Sequence, residues 1–275
     1  MPETTQEPLR ILIFGAHPDD CDIKAGGTAA LYACNGHKVQ MVSLTNGDAG
    51  HYEMGGAPLA WRRREEAAAS AERLGVEYVV LDNHDGELMP SLQVRREIIA
   101  RIRAYDPDMV MSPRPWDYHP DHRATGEIVT DALYMCTVPN ICSHVEHLRR
   151  MPVAAYVWDD FFRPYPFAPD VVVNIDPVIA RKLDALHCHT SQVYEWLPYN
   201  RQELDDVPET ESARRAWLKA WYEERFAPFT SLYEDELVER YGEEEARQIE
   251  HVEAFEISEY GAPAGKRELE RLFPF

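Results

Sequence analysis

Short apolar runs alternate with helix-like stretches through the first two thirds of this 275-residue chain, and this alternation restricts the fold more than any other feature. The run Ile11–Phe14 contains no polar residue, which is typical of a strand buried on both faces. Further strands are predicted at Lys38–Leu44, Val79–Leu81, Met109–Ser112, Val153–Val157 and Val171–Ile175. Helices are predicted between them, over Gly27–Asn35, Trp61–Leu74, 91–105, His122–Met135 and 176–189. This order predicts an α/β fold: a Rossmann-like, doubly wound, mainly parallel sheet with helices on both faces.

The last third of the chain has a different pattern, because charged helices follow one another from Trp196 onward without clear strands. Acidic runs such as 243–245 suit solvated helix faces. We expect a single domain over 1–275, with a core at about 10–192 and a helical extension at about 196–250 packed on the same core. Two roles stay open for the extension: it could shape one wall of a substrate cleft or mediate contacts in a homo-oligomer.

Composition excludes several classes of partner and site. The formal net charge of −20 at pH 7 repels phosphate backbones, so nucleic acid is not an expected partner. Apolar runs stay far below the ~18 residues of a membrane span, and the polar N-terminus lacks a signal-peptide pattern, so we expect no membrane span and a cytoplasmic location. The five cysteines are scattered and never spaced C-x-x-C, which argues against a disulfide framework and a thiolate zinc site.

Polar residues follow the first strand at once, in the order His17, Pro18, Asp19, Asp20. Ligands of open parallel sheets bind outside the carboxyl ends of the strands, and an imidazole and a carboxylate are suitable zinc ligands. Asp19 is then a carboxylate beside the metal that could take a proton from bound water. A dinucleotide-binding turn is disfavoured because the loop lacks G-x-G-x-x-G. For this stretch alone, a helix-capping aspartate beside a structural histidine stays open.

A second histidine–aspartate stretch, His119–His122, follows the strand Met109–Ser112 and opens a predicted helix, with Pro120 suited to its first position. His17, Asp20 and either His119 or His122 would form a two-histidine, one-carboxylate site with an open position for water. Ferrous iron in an oxygenase uses the same ligand types. The additional acid and the second histidine favour hydrolysis, which needs a base for water and a donor to the oxyanion.

The segments GAHPDDCDIKAGGTAALYACNGHKV and PDMVMSPRPWDYHPDHRATG resemble the PIG-L/LmbE-like family of metal-dependent N-acetylglucosaminyl deacetylases. Shorter segments such as RREEAAASAERLGV and RKLDALHCHTSQ add to the resemblance. It implies Zn²⁺, with Fe²⁺ as the alternative, held by His17, Asp20 and His122. It further implies Asp19 as general base and His119 as the group that stabilises the oxyanion and protonates the leaving amine.

The resemblance also places substrate contacts at Arg63 and Asp85, with Arg62 as an alternative to Arg63. The activity it implies is removal of an acetyl group from an N-acetylated amino sugar or its conjugate, a small-molecule partner. Two alternatives stay open: a metal-dependent amidase on another acyl amine, and a catalytically silent metal- or sugar-binding protein. The aromatic residues Trp116 and Tyr118, which precede His119, suit either stacking on a sugar ring or a plain hydrophobic rim.

Overall fold

The computed structural model describes residues 7–275, which form a seven-stranded sheet with helices on both faces. In chain order the strands are β1 (Arg10–Gly15), β2 (Lys38–Thr45), β3 (Glu77–Asn83), β4 (Met109–Ser112), β5 (Val153–Val157), β6 (Val171–Asn174) and β7 (Val252–Ile257). Their order in the sheet is β3-β2-β1-β4-β5-β7-β6. Strand β7 runs antiparallel to both neighbours, whereas the other pairs are parallel. This arrangement confirms the predicted doubly wound, mainly parallel sheet.

The α-helices are α1 (Asp20–Cys34), α2 (Ala57–Leu74), α3 (Leu92–Tyr105), α4 (Pro120–Met135), α5 (Ile179–Cys188), α6 (Leu197–Arg201), α7 (Glu211–Phe226), α8 (Pro228–Leu232), α9 (Glu234–Tyr241), α10 (Glu243–Ala246) and α11 (Lys266–Leu272). Ser91 caps α3 as predicted, because its side chain accepts a hydrogen bond from the backbone N–H of Val94. The predicted helix from Asp176 begins instead with a 3₁₀ turn, Asp176–Val178, before α5.

Strand β1 lies at the centre of the sheet, and its side chains alternate between two apolar cores. Ile11 and Ile13 pack on the side of α1 and α5, whereas Leu12 and Phe14 pack on the side of α3 and α4. The neighbours of β1 are β2 and β4, so the strand order reverses here. Loops that follow β1 and β4 therefore meet at the switch point where open α/β sheets bind ligands.

The prediction that no strand follows Trp196 is wrong, because β7 inserts between β5 and β6. Its side chains are buried at Val252, Ala254 and Phe255, but Glu253 is also buried. A charged residue at a fully covered position breaks the uniformly apolar pattern by which a central strand is recognised.

The prediction that α1 begins at Gly27 is also wrong, because the helix begins at Asp20 and the glycine pair lies inside it. A Cβ atom on Gly27 would lie 2.8 Å from a side-chain carbon of Ile175, whereas one on Gly26 would have no neighbour closer than 3.7 Å. Gly27 therefore permits close packing of α1 rather than a turn before the helix. The predicted start of α4 at His122 is similarly late, since Pro120 occupies the first position.

A buried ion pair between Lys182 and Glu253 forms hydrogen bonds with the backbone of α1 close to Gly27. The Glu253 carboxylate accepts hydrogen bonds from the backbone N–H groups of Gly27 and Thr28, at 2.8 and 2.7 Å. The Lys182 ammonium donates to the backbone carbonyl of Ile23 at 2.9 Å and to Glu253 at 2.5 Å. In a regular α-helix the N–H of Gly27 would donate to the carbonyl of Ile23. The Lys182–Glu253 pair therefore satisfies both of these backbone groups and ties α1 to α5 and β7.

The helices of the extension pack against two parts of the α/β core. Leu218 and Trp221 of α7 join a buried cluster with Leu186 of α5, and Leu237 of α9 contacts the cluster that contains Val172 of β6. Among residues 7–275, every helix is too short or too polar to cross a membrane.

Candidate active site and metal centre

Asp20 is the first residue of α1, and the loop that follows β1 orients its carboxylate. The Oδ2 atom accepts hydrogen bonds from the backbone N–H groups of Ala16 and His17, both at 2.8 Å. Gly15 permits this tight loop, because a Cβ there would lie 2.8 Å from the Cβ of Asp20. The HPDD stretch thus folds back on itself, so that His17 and Asp20 point to one place.

Three ligand atoms meet at the switch point: Nδ1 of His17, Oδ2 of Asp20 and Nε2 of His122. The two imidazole nitrogens are 3.3 Å apart, and each lies 3.4 Å from the Asp20 oxygen. Tetrahedral zinc with bonds of about 2.0–2.1 Å separates its ligand atoms by about 3.3–3.4 Å. The donor set and its spacing therefore fit Zn²⁺, although ligand atoms from His17, His119 and His122 also lie within 4.8 Å of one another.

The second nitrogen of each of these imidazoles faces carboxylates. Nε2 of His17 lies 3.1 Å from Asp85 and 3.3 Å from Asp121, and Nδ1 of His122 lies 3.0 Å from Asp117. Histidines that bind metals usually donate their other N–H to a carboxylate or carbonyl, which fixes the ring and makes the ligand more basic. Both histidines of the three-atom set have this support.

The surrounding carboxylates favour positive charge on the imidazoles of His17 and His122. Burial lowers the pKa of His17, but hydrogen bonds to carboxylates, Asp121 first, outweigh it and hold that pKa well above its ordinary value. Burial likewise lowers the pKa of His122, whereas Asp20 and Asp117 raise it to a net value of about 9. A site that favours imidazolium ions over neutral imidazoles by charge also favours a bound divalent cation in their place.

Asp19 lies beside this set, 6% exposed, at the N-cap of α1. Its side chain makes no capping hydrogen bond. Instead its Oδ1 accepts a hydrogen bond of 2.9 Å from Nη2 of the buried Arg63. Burial raises the pKa of the Asp19 carboxyl, and the Arg63 guanidinium opposes that rise. A carboxylate that does not cap the helix and has a raised pKa is suited to accept a proton.

His119 caps α4, because its Nδ1 accepts a hydrogen bond of 3.2 Å from the backbone N–H of Asp121. That contact leaves the proton of the neutral ring on Nε2. Burial lowers the pKa of His119, and the neighbouring His17 and His122 lower it further. The ring centroid of His119 is 4.6 Å from that of His17. A neutral imidazole with a free N–H beside the three-atom set can donate to a developing oxyanion.

The structure distinguishes the two candidate arginines. Arg63, 2% exposed, lies between Asp19 and Asp85, with its Nη1 atom 3.7 Å from the Asp85 carboxylate. Arg62 forms a two-point ion pair with Glu195 at 2.6 and 2.7 Å. Of the two, Arg63 is the one paired with the HPDD motif. A direct contact of Arg63 or Asp85 with substrate stays a prediction.

Two carboxylates with no role predicted from the sequence, Asp117 and Asp121, face the two imidazoles. Asp121 is fully buried and also accepts hydrogen bonds from the backbone N–H groups of Gly86 and Leu88. The position of Asp121 between His119 and His122 in HPDH is a signal for this contact, because a buried acid needs hydrogen-bonding partners. For Asp117 the only signal in the sequence is its position two residues before His119.

Comparisons of the sequence show which known proteins this chain resembles. Residues 12–133 match the family model described as PIG-L, GlcNAc-PI de-N-acetylase. Diacetylchitobiose deacetylase of Thermococcus kodakarensis is 36% identical over 210 residues, which cover 72% of this chain and 78% of that protein. The 4-oxalmesaconate hydratase of Pseudomonas putida is 27% identical over 206 residues, covering 70% and 78% of the two chains.

A solved structure extends the similarity to most of the fold. N,N'-diacetylchitobiose deacetylase from Pyrococcus horikoshii, complexed with its inhibitor MPG, superposes with a TM-score of 0.69 at 26% identity. The match covers 92% of this chain and 85% of that one. Shared sequence, shared fold and two histidine–aspartate motifs at the switch point lead to one conclusion: the chain belongs to the PIG-L family of de-N-acetylases.

Proposed function

We propose that this chain is a zinc-dependent hydrolase that removes the acetyl group from an N-acetylated amino sugar or its conjugate. The observation that carries the proposal is the set of 3.3–3.4 Å separations among His17, Asp20 and His122, with Asp19 and His119 beside it. The similarity to diacetylchitobiose deacetylase supports the substrate class.

The residues divide the reaction between them. His17, Asp20 and His122 would hold the metal ion, which when bound lowers the pKa of water and polarises a carbonyl group. Arg63 occupies Oδ1 of Asp19, so Oδ2 is the oxygen available to accept a proton from the attacking water. The Nε2–H of His119 donates a hydrogen bond to the oxyanion as the acetyl carbon becomes tetrahedral. The proton that Asp19 accepted then passes to the amine nitrogen as the C–N bond breaks, which gives acetate and a free amine.

A hydratase among the relatives makes water addition to a carbon–carbon double bond a competing activity for this fold. Hydration also needs an activated water and a proton donor, but it releases no acetate. The higher identity to the deacetylase, 36% against 27%, favours amide hydrolysis.

The test is acetate release from N-acetylglucosamine, N,N'-diacetylchitobiose and a simple N-acetyl alkylamine. We expect acetate and free amine in equal amounts from the amino sugars, loss of activity on chelation, and recovery with Zn²⁺ but less with Fe²⁺. Acetate release from the N-acetyl alkylamine alone would show that the chain is an amidase for another class of acyl amine. Bound metal without acetate from any of these substrates would contradict the proposal and leave a hydratase or a binding protein as the alternatives.

A further inference from the structure

Four polar residues in a row, His189–Gln192, follow α5 and have no part in the proposed reaction. Three of their side chains are buried, because His189 and Ser191 are 0% exposed and Gln192 is 2% exposed. Polar residues that end a helix are usually in contact with water, and their burial is costly unless they have partners. The partners of this segment therefore indicate what it holds in place.

Ser191 connects the segment to α2. Its backbone N–H and its hydroxyl group donate hydrogen bonds to the Glu66 carboxylate, at 2.9 and 2.6 Å. Glu66 lies three residues after Arg63, so the two side chains project from the same side of α2, and both are buried. Because Arg63 donates to Asp19, the contact of Ser191 with Glu66 fixes the side of α2 that carries the partner of Asp19.

Gln192 connects the segment to the loop that follows β2. Its Nε2 atom donates a hydrogen bond of 3.0 Å to the backbone carbonyl of Gly50. A Cβ atom on Gly50 would lie 3.1 Å from both the Arg63 guanidinium and the Asp85 carboxylate, so this loop packs closely against the two side chains. The segment thus supports Arg63 from a second side.

His189 contacts α1, the helix that begins beside Asp19. Its Nε2 atom lies 3.2 Å from Oδ2 of Asp22, and Oδ1 of Asp22 accepts a hydrogen bond from the hydroxyl group of Ser70. Burial lowers the pKa of His189, but Asp22, with smaller contributions from Asp19 and Glu66, holds that pKa above its ordinary value. The imidazole and the Asp22 carboxylate therefore form an ion pair without exposure to solvent.

Asp22 and Asp19 lie three residues apart at the start of α1, on one side of the helix. Because the Asp19 side chain makes no capping hydrogen bond, the helix end does not fix its direction. Contacts from other elements must do so, and the pair of Asp22 with His189 fixes how the first turn of α1 is rotated.

We infer that His189 is a positioning residue for the base: through its pair with Asp22 it holds the first turn of α1 so that the free oxygen of Asp19 faces the attacking water. The inference rests on the proposed function and deepens it, because it concerns the same site. A displacement of about 1 Å at a reacting group can lower the rate about 10²-fold. His189 is fully buried and cannot touch substrate, so its loss should lower kcat and leave KM almost unchanged.

The experiment measures kcat, KM and bound zinc per chain in His189→Leu, His189→Gln and the control His187→Leu, on the N-acetylated amino sugar that the wild type hydrolyses fastest. Leucine fills the space but cannot pair with Asp22, whereas the glutamine amide can still donate to it. We expect kcat to fall about 10–100-fold in His189→Leu and about threefold or less in His189→Gln, with KM within about twofold of the wild type. Each variant should retain about one zinc per chain, because the three proposed ligands are unchanged.

His187 is a matched control, since it lies two residues earlier on α5 and its Nδ1 atom faces the hydroxyl group of Tyr194 at 2.7 Å. Its replacement should leave kcat unchanged. Asp22→Asn tests the same pair from α1, and it decides the question if His189→Leu does not fold. The asparagine oxygen can accept from Ser70, which leaves an amide N–H facing His189, and we expect kcat to fall about three- to tenfold.

A wild-type kcat in His189→Leu or in Asp22→Asn would overturn the inference and leave the proposed function intact. Equal losses of kcat in His189→Leu and His189→Gln would show that the volume of the ring matters rather than its pair with Asp22, and an equal loss in His187→Leu would show a general effect on α5. Loss of zinc in His189→Leu would place the effect on the metal ligands. Each of these results overturns the positioning role, whereas a wild type that releases no acetate would overturn the proposed function and this role with it.

Discussion

Two buried sets of charged groups, both in contact with α1, differ in how their charges are balanced. In the Lys182–Glu253 pair one ammonium faces one carboxylate, and the remaining hydrogen bonds go to backbone groups of Ile23, Gly27 and Thr28. At the switch point a single guanidinium, that of Arg63, lies among carboxylates and imidazoles. The carboxylates there are Asp19, Asp20, Asp85, Asp117 and Asp121.

This difference separates a structural role from a functional one. The Lys182–Glu253 pair is complete in itself and holds a helix to its neighbours. The switch-point set has more negative than fixed positive charge, so a cation or protonated imidazoles must balance it. Loss of one member should therefore affect stability in the first set and chemistry in the second.

The largest expected effect is on catalysis, from Asp19→Asn. The amide keeps the size of the side chain and can still accept a hydrogen bond from Arg63, but it cannot take a proton. We expect kcat for acetate release to fall by about 10²–10⁴-fold. The unfolding midpoint in urea serves as the control and should stay close to that of the wild type. A kcat within twofold of the wild type would show that Asp19 is not the base.

The next largest effect is on stability, from Lys182→Met. The change leaves the Glu253 carboxylate buried without its cation, which typically costs about 3–5 kcal/mol in the free energy of unfolding. Denaturant titration followed by circular dichroism measures this loss. The double variant Lys182→Met, Glu253→Gln removes both charges and should recover a large part of it. A single variant as stable as the wild type would show that the pair does not stabilise the helix.

The smallest expected effects come from the two adjacent glycines of α1, which should respond in opposite directions. Gly27→Ala places a methyl group against Ile175, and overpacking of about 1–3 kcal/mol exceeds the gain of about 1 kcal/mol in helix propensity. Gly26→Ala meets only ordinary contacts and should stabilise the protein by about 0.5–1 kcal/mol. Thermal unfolding of both variants under one set of conditions measures the difference. Equal shifts of the same sign would contradict the packing of α1 against Ile175.

The parts of the fold that depend on local pattern could be predicted from the sequence. Strands β4 and β5 have the predicted bounds, and Ser91 caps α3 as expected. Strand β7 could not be recognised because the partners that make Glu253 tolerable in a central position lie far away in the chain, on α1 and α5. Burial of a charge depends on tertiary contacts that no local window contains.

The candidate site could be predicted from the sequence to about the same extent as the fold. Two HPD motifs after two strands predicted which residues meet, since parallel strands end at one edge of a sheet. Which carboxylates face the imidazoles depends on the orientation of the rings. Whether Arg62 or Arg63 pairs with Asp19 depends on which side of α2 faces the loop after β1. Such details follow from packing around the loops and are not expressed in residue spacing.

We propose different tasks for the two adjacent aspartates, with Asp20 on the metal and Asp19 beside it. Bound metal per chain, measured by atomic emission in Asp19→Asn and Asp20→Asn, tests this claim most directly. Both changes are isosteric, and an asparagine at position 20 can still accept the backbone hydrogen bonds of Ala16 and His17. We expect about one zinc per chain in Asp19→Asn and less than about a tenth of that in Asp20→Asn. Equal metal content in the two variants, whether retained or lost, would contradict it.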